Sequence, residues 1–275
     1  MASRLAAALL LAALSLPAAA ENVDLFPRPN EIFPLLIADP RHVQLSASYY
    51  RLDGENTSDV ALGHSWGITR WRAGDMQDWL WEADLEGMAY SRFRISGGVN
   101  EFQTVDFFLN VPVTVRRGDV AFKGTLFHES SHLGDDYIRR TGNTGFRYSN
   151  EGLRLQTSLE PRRWGRLYTG MTYLFHRVPD TRGLAAQGGF ELFSDDLTPL
   201  RRPRTRLFVG QDFQSHQDVK WNVDSHTVAG VKLNFRENVT RAMRVQLGYF
   251  DGHSPFGQFY TKREHYLDLS LVFEL

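Results

Sequence analysis

Residues 127 to 136 read FHESSHLGDD and place His128, Ser130 and His132 at two-residue intervals, followed by Asp135 and Asp136. On a strand, side chains repeat every second residue, so these three would share one face. A histidine and a serine so placed can share a hydrogen bond, the imidazole taking the hydroxyl proton as nucleophilic acyl chemistry requires. A third polar group must orient the imidazole. Downstream, FRYSNEGLRLQTSLEP repeats Leu153, Leu155 and Leu159 on one face, and the same parity brings Ser149 and Glu151 there. A register that pairs His132 with Arg147 sets Glu151 opposite His128. Ser131 stands beside Ser130 as the other candidate nucleophile.

The letters HESSH also satisfy H-E-x-x-H. Zinc ligation by both histidines in that pattern needs a helix, whereas period-two flanks and Gly134 predict a strand. Two other readings stay open: a metal site built from His128, His132 and Asp135, or a rim cluster with no chemistry. In the second, His128 and Ser130 sit at lipid headgroup level, and His132, Asp135 and Asp136 are solvated or hydrogen-bonded within the adjoining loop.

The elements that would position these residues follow from the rest of the chain. It opens MASRLAAALLLAALSLPAAAEN, with Arg4, an apolar run from Leu5 to Leu16 and an A-x-A pattern at Ala18 to Ala20. Residues 1–20 therefore read as a secretory signal peptide; the apolar run is short of the roughly 20 residues a bilayer-spanning helix needs. With no cysteine anywhere, disulfides, thiol catalysis, cysteine-ligated zinc and a lipidated N-terminus are excluded. Formal net charge is -1; RRPRTR at 201 to 206 is too short a basic patch to imply nucleic acid. Residues 21–41 hold four prolines among apolar residues, which predicts an extended lead segment. That segment is free to pack into the end of a barrel.

From residue 42 onward the hydropathy period is two, and long amphipathic helices are absent. Val43, Leu45, Ala47 and Tyr49 share a face, as do Val60, Leu62, Trp66 and Ile68; Trp79, Trp81, Ala83 and Leu85 oppose Glu82, Asp84 and Glu86. Val105, Phe107, Leu109, Val111, Val113 and Val115 oppose Asp106, Asn110 and Thr114. About twelve such runs of roughly 10 residues predict an all-β fold, an antiparallel transmembrane β-barrel over residues 42–275. One face stays apolar along each run, as lipid contact requires. The other carries charges suited to a wet lumen: Glu82, Asp84, Glu86, Arg154, Lys232 and Arg244. A soluble all-β domain is the rival, since a sandwich also alternates. Short connections at RRGD (116 to 119) and ENVTRA (237 to 242), against long ones at 133 to 145 and 250 to 263, orient the barrel, because long loops lie outside. His253 and Ser254, in the Gly/Pro-rich outer loop, suit turn chemistry.

The run VAFKGTLFHESSH then climbs outward from the RRGD turn. Val120, Phe122 and Leu126 face lipid, Lys123 and Thr125 the lumen, and parity sends His128 and Ser130 to the lipid side. Eight residues at ~3.3 Å, tilted about 40°, lift His128 roughly 20 Å within an apolar band about 25 Å tall. Polar groups on that wall are costly and call for an explanation.

The last residues, HYLDLSLVFEL, alternate Leu267, Leu269, Leu271, Phe273 and Leu275 with polar residues. This resembles the C-terminal strand signal of outer-membrane barrels, which implies the barrel assembly machinery as a partner and the outer membrane as the location. The H-x-S pair on a lipid-facing wall resembles outer-membrane phospholipase A and the outer-membrane lipid A deacylase. That resemblance implies His128 as base, Ser130 as nucleophile, Glu151 as orienting carboxylate and outer-membrane lipids as substrate. Those families continue H-x-S-N-G, whereas here Ser131 stands for the asparagine and the glycine is delayed to Gly134, so the oxyanion arrangement is not carried over; no cofactor is expected, and calcium stays an open alternative. A wider resemblance, through LLIADPR, VPVTVRRGD, FHESSHLGDDY and FDGHSPFGQFY, is to an exported bacterial barrel family catalogued as a domain of unknown function. Two functional expectations result: a lipid acyl-ester hydrolase, or a non-enzymatic envelope barrel acting as a narrow channel or structural protein.

Overall fold

A computed structural model describes residues 20–73, 76–96, 99–162, 164–198, 203–235 and 242–274. Residues 1–19 of the expected signal peptide, most of ENVTRA, Arg201, Arg202 and Leu275 lie outside the described residues.

Thirteen strands form one antiparallel sheet. β1 (Ala20–Leu25) pairs with the end of β3. The other twelve close a barrel: β2 (Leu45–Leu52), β3 (Glu55–Ala73), β4 (Met76–Ser96), β5 (Val99–Arg117), β6 (Val120–Leu133), β7 (Tyr148–Arg162), β8 (Gly165–Val178), β9 (Leu184–Phe193), β10 (Arg204–His216), β11 (Val223–Asn234), β12 (Ala242–His253) and β13 (Arg263–Glu274). Each pairs with its neighbours in sequence, and β13 closes on β2 through Leu271↔Ala47. Closure removes the free edges that an open sheet would expose. β3, β4 and β5 run 19, 21 and 19 residues, about twice the expected length, so this side of the wall is taller.

The expected faces hold along the wall. Leu62, Phe107, Leu109, Leu155, Leu247 and Leu267 are exposed on the outside, whereas Glu82, Asp84, Glu86, Lys123 and Thr125 are buried inside. Val43 is a correction. β2 begins only at Leu45, and Val43 packs inward beside Phe256 and Tyr90. Connection length also sorts less cleanly than expected. The end that carries residues 134 to 147, here the outer end, has a two-residue hairpin at Asp53 and Gly54. Both have positive φ, the type I′ geometry that matches strand twist. The opposite end carries the long connection 194 to 203. The 133 to 145 connection is not irregular throughout, because α1 (Asp135–Thr141) sits in it. Asp135 and Asp136 in its first turn and Arg139 and Arg140 in its last complement the helix dipole, and Gly142 closes it in the left-handed region.

Two segments fill the barrel. The lead runs inward from β1 and crosses the lumen, burying Ile32, Phe33, Leu36, Ile37 and Ala38. Its backbone is satisfied by the wall: Arg116 donates to Ile32 O at 2.7 Å, Arg166 to Pro34 O at 2.7 Å and Leu35 O at 2.6 Å. Ile37 N donates to Glu191 at 2.7 Å. The wall is recessed to receive it: a Cβ on Gly210 would lie 2.9 Å from Ile37 Cγ1. From the outer end, the loop 254 to 262 folds inward and buries Phe256, Gly257, Gln258 and Phe259. Phe256 stacks on Tyr90 with centroids 4.9 Å apart, under the Arg92 guanidinium at 4.4 Å. His253 and Ser254 therefore begin a lumenal plug rather than an open loop, His253 Nδ1 lying 2.8 Å from Asp224.

Two of the three carboxylates in the β4 stripe pair with cations, and neither partner is Arg154, Lys232 or Arg244. Arg70 pairs with Glu82, and Lys123 Nζ lies 2.8 Å from Glu86. Lys232 and Arg244 instead pair with Glu274 at 2.7 and 2.8 Å. Arg154 stacks over Phe127 at 5.4 Å.

Candidate functional site

The FHESSH stretch lies on β6 as expected, and strand parity divides its chemistry between two faces. Inside, Ser131 Oγ donates to Asp106 Oδ1 and accepts from Gln258 N at 3.0 Å. Gln258 Nε2 returns a bond to Ser131 O at 2.9 Å. Glu129 lies 3.4 Å from Arg41 of the lead segment. The inner half of the motif thus holds both plugs, and Ser131 is committed to that role.

Outside, His128 and His132 are exposed and Ser130 is half-buried. Ser130 is opposite Phe107 on β5 and Ser149 on β7; His128 is opposite Leu109 and Glu151. The β6/β7 register is the one that sets Glu151 against His128. His128 Nδ1 lies 3.6 Å from Glu151 Oε1, with side chains 45% and 27% exposed. Ser130 Oγ makes no hydrogen bond to His128 among the described residues. Both lie on the same side of one strand, two residues and about 6.6 Å apart along it. Resting catalytic hydrogen bonds are commonly long and tighten only with substrate bound.

His132 is not part of this pair. Four strand residues separate it from His128 by about 13 Å, so the two cannot share one ion, and its ring lies 6.2 Å from Phe107. Asp135 and Asp136 sit on α1, where Asp136 accepts from Phe102 N at 3.2 Å. The Arg139 side chain, aided by that backbone N–H, holds the Asp136 carboxyl below the usual carboxylate range. Calcium takes six to eight oxygens with carboxylates prominent. Around Ser130 the wall offers one carboxylate, Glu151, already facing His128, and no group of three acidic or histidine ligands occurs among the described residues. The residues present do not fit a calcium site.

One outer-wall residue escapes sequence reasoning. β8 carries a bulge: Gly152 pairs with Leu174, but Glu151 pairs with His176. His176 is exposed on the outer side, where uninterrupted alternation would have turned it inward. A bulge leaves no mark in the hydropathy pattern of LFHRV. The lumen itself keeps a cavity of about 160 Å³ between lead segment and outer loop, lined by Asp39, Arg41, Glu129, Arg154, Asp212 and His226 among others.

A closed twelve-strand antiparallel barrel with an apolar outer wall and a charged lumen defines the outer-membrane barrel class of protein. Within it, the chain belongs to the family described as protein of unknown function (DUF1207), which matches residues 18–275. Among solved structures, outer membrane phospholipase A from Escherichia coli aligns over 86% of this chain and 93% of its own, with 9% identity and a TM-score of 0.54. A Salmonella typhi outer membrane phospholipase dimer with bound calcium aligns over 86% and 93%, with 8% identity and a TM-score of 0.55. At such identity the likeness is one of fold. No curated protein matches the sequence.

Proposed function

We propose that this protein is an outer-membrane enzyme that hydrolyses an acyl ester of phospholipid or lipid A at its outer wall. The observation that carries the reading is the His128 to Glu151 contact of 3.6 Å on the exposed face, with Ser130 two residues along the same strand. The barrel fold shared with a phospholipase supports it. Residues 1–20 serve as the export signal, and the C-terminal strand is read by the barrel assembly machinery. Residues 42–275 then form the membrane domain.

In the reaction, His128 takes the Ser130 hydroxyl proton as Oγ bonds to the ester carbonyl carbon, and Glu151 stabilises the imidazolium that results. Collapse of the tetrahedral adduct breaks the ester C–O bond, and the imidazolium returns its proton to the leaving alcohol. Water, deprotonated by His128, then releases the fatty acid and restores Ser130. The rival is a structural barrel, favoured by one observation: the motif's hydrogen bonds are made by its inner face.

The deciding experiment is mass spectrometry of phospholipids and lipid A from outer membranes holding wild type, Ser130→Ala or neither. Acyl loss with wild type alone is expected. Identical lipids in all three, with folded and abundant barrel, would leave the stretch as a rim structure.

A further inference from the structure

We propose that His176 is a positioning residue of the same wall site, which fixes Glu151 for its contact with His128; this rests on the hydrolase reading. Along β8, Met171, Tyr173 and Phe175 are exposed on the outside, and Thr172 and Leu174 line the lumenal cavity. Regular alternation would send His176 inward with them. The bulge leaves Phe175 without a cross-strand partner on β7 and reverses the parity after it. His176 therefore joins Phe175 on the outer face, opposite Glu151.

Glu151 thus has an imidazole on each side, His128 across β6 and His176 across β8. His176 and Glu151 make no ion pair or hydrogen bond among the described residues; the register across the bulge sets them opposite each other on one face, within reach of a change in side-chain rotamer. A carboxylate has two oxygens. With Oε1 facing His128, the second is free to accept a ring N–H of His176, which would stop the carboxylate from swinging away.

The wall pays for this arrangement twice. An imidazole stands next to the exposed Phe175 and near Tyr173 on the outer face of β8, on a surface where polar groups are disfavoured. The bulge also needs a glycine: a Cβ on Gly152 would lie 2.8 Å from Tyr173 O and 2.9 Å from the Phe127 ring. Bulges that re-aim a side chain occur preferentially beside active sites.

The test uses the purified full barrel with diacyl phosphatidylethanolamine and lipid A, each in mixed micelles, and compares wild type with Ser130→Ala, His176→Phe and His176→Gln. His176→Phe is expected to lower kcat on the order of 10- to 100-fold through misplacement of the dyad, with KM within about 2-fold. His176→Gln, which keeps an N–H donor, restores most of kcat. Ser130→Ala is inactive. Unchanged kcat in a folded His176→Phe barrel, or a loss that His176→Gln fails to rescue, overturns the inference alone. Absence of Ser130-dependent hydrolysis in wild type overturns the hydrolase reading and the inference with it.

Discussion

Arg41 Nη2 lies 2.7 Å from Asp106 Oδ2, so the lead segment is ion-paired to the wall of β5 deep inside the lumen. The same oxygen accepts Gly257 N of the outer loop at 3.0 Å, and Oδ1 accepts Ser131 Oγ of β6. One fully buried carboxylate therefore ties both plugs to the barrel. Removing one partner of a buried pair leaves the other uncompensated, at a cost of about 3 to 5 kcal/mol. Asp106→Ala should destabilise the folded barrel by that order in urea titrations from lipid vesicles. A midpoint unchanged from wild type would show that Asp106 is not the common clamp.

The lead segment, not the width of the barrel, should set permeability. Its Ile32, Phe33, Leu36, Ile37 and Ala38 are buried across a lumen whose walls carry Glu82, Glu86, Lys123, Arg166 and Glu191. Deleting residues 26–41 keeps all twelve closing strands, removes Arg41 from Asp106, and opens to water the part of the charged interior that the outer loop 254 to 262 does not fill. In planar bilayers, wild type is expected to be silent and the deletion variant to conduct small ions. Conductance by wild type equal to that of the deletion variant would mean that the lead segment does not seal the lumen.

Much of this was legible in the sequence, for a physical reason. Lipid outside and water inside impose a two-residue period on every wall strand, so strand number, the inward charges of β4 and the outward turn of His128 and Ser130 were readable from alternation. Leu153, Leu155 and Leu159 fixed the face of Glu151, whereas its place opposite His128 rested on an assumed pairing of His132 with Arg147, because a slip of two residues leaves every face unchanged. What alternation could not carry was anything set by contacts across the lumen. Arg70 and Lys123, not Arg154, face the β4 acids because of where their strands stand in the closed ring. The loop at Ser254 folds inward because Asp106 and Ser131 receive it. His176 was hidden by a bulge that Gly152 permits but does not announce.

The anchoring of α1 should depend on pH through Asp136, whose carboxyl is lowered by Arg139 and Phe102 N. A carboxyl lowered on folding contributes stability that is present above its unfolded value of about 3.9 and is lost as pH falls through the folded value. Hydrogen exchange of residues 135 to 141 should be alike at pH 7 and 5 and faster below about pH 4, after correction for intrinsic rates. Asp136→Asn should abolish that acid sensitivity. Equal acid response in the variant would place the responsible group elsewhere.

Ser130 and Ser131 should separate function from stability, since parity puts adjacent hydroxyls on opposite sides of one wall. Ser131→Ala removes a bond to Asp106 and strands Gln258 N, which costs about 1 to 3 kcal/mol while hydrolysis persists. Ser130→Ala removes a half-buried outer hydroxyl and should shift stability by no more than about 0.5 kcal/mol, yet abolish acyl release. Urea midpoints and fatty-acid release, measured on the same preparations, check both. Loss of hydrolysis on Ser131→Ala, with Ser130→Ala active, would move the chemistry from the lipid face to the lumen, beside Asp106 and Arg41.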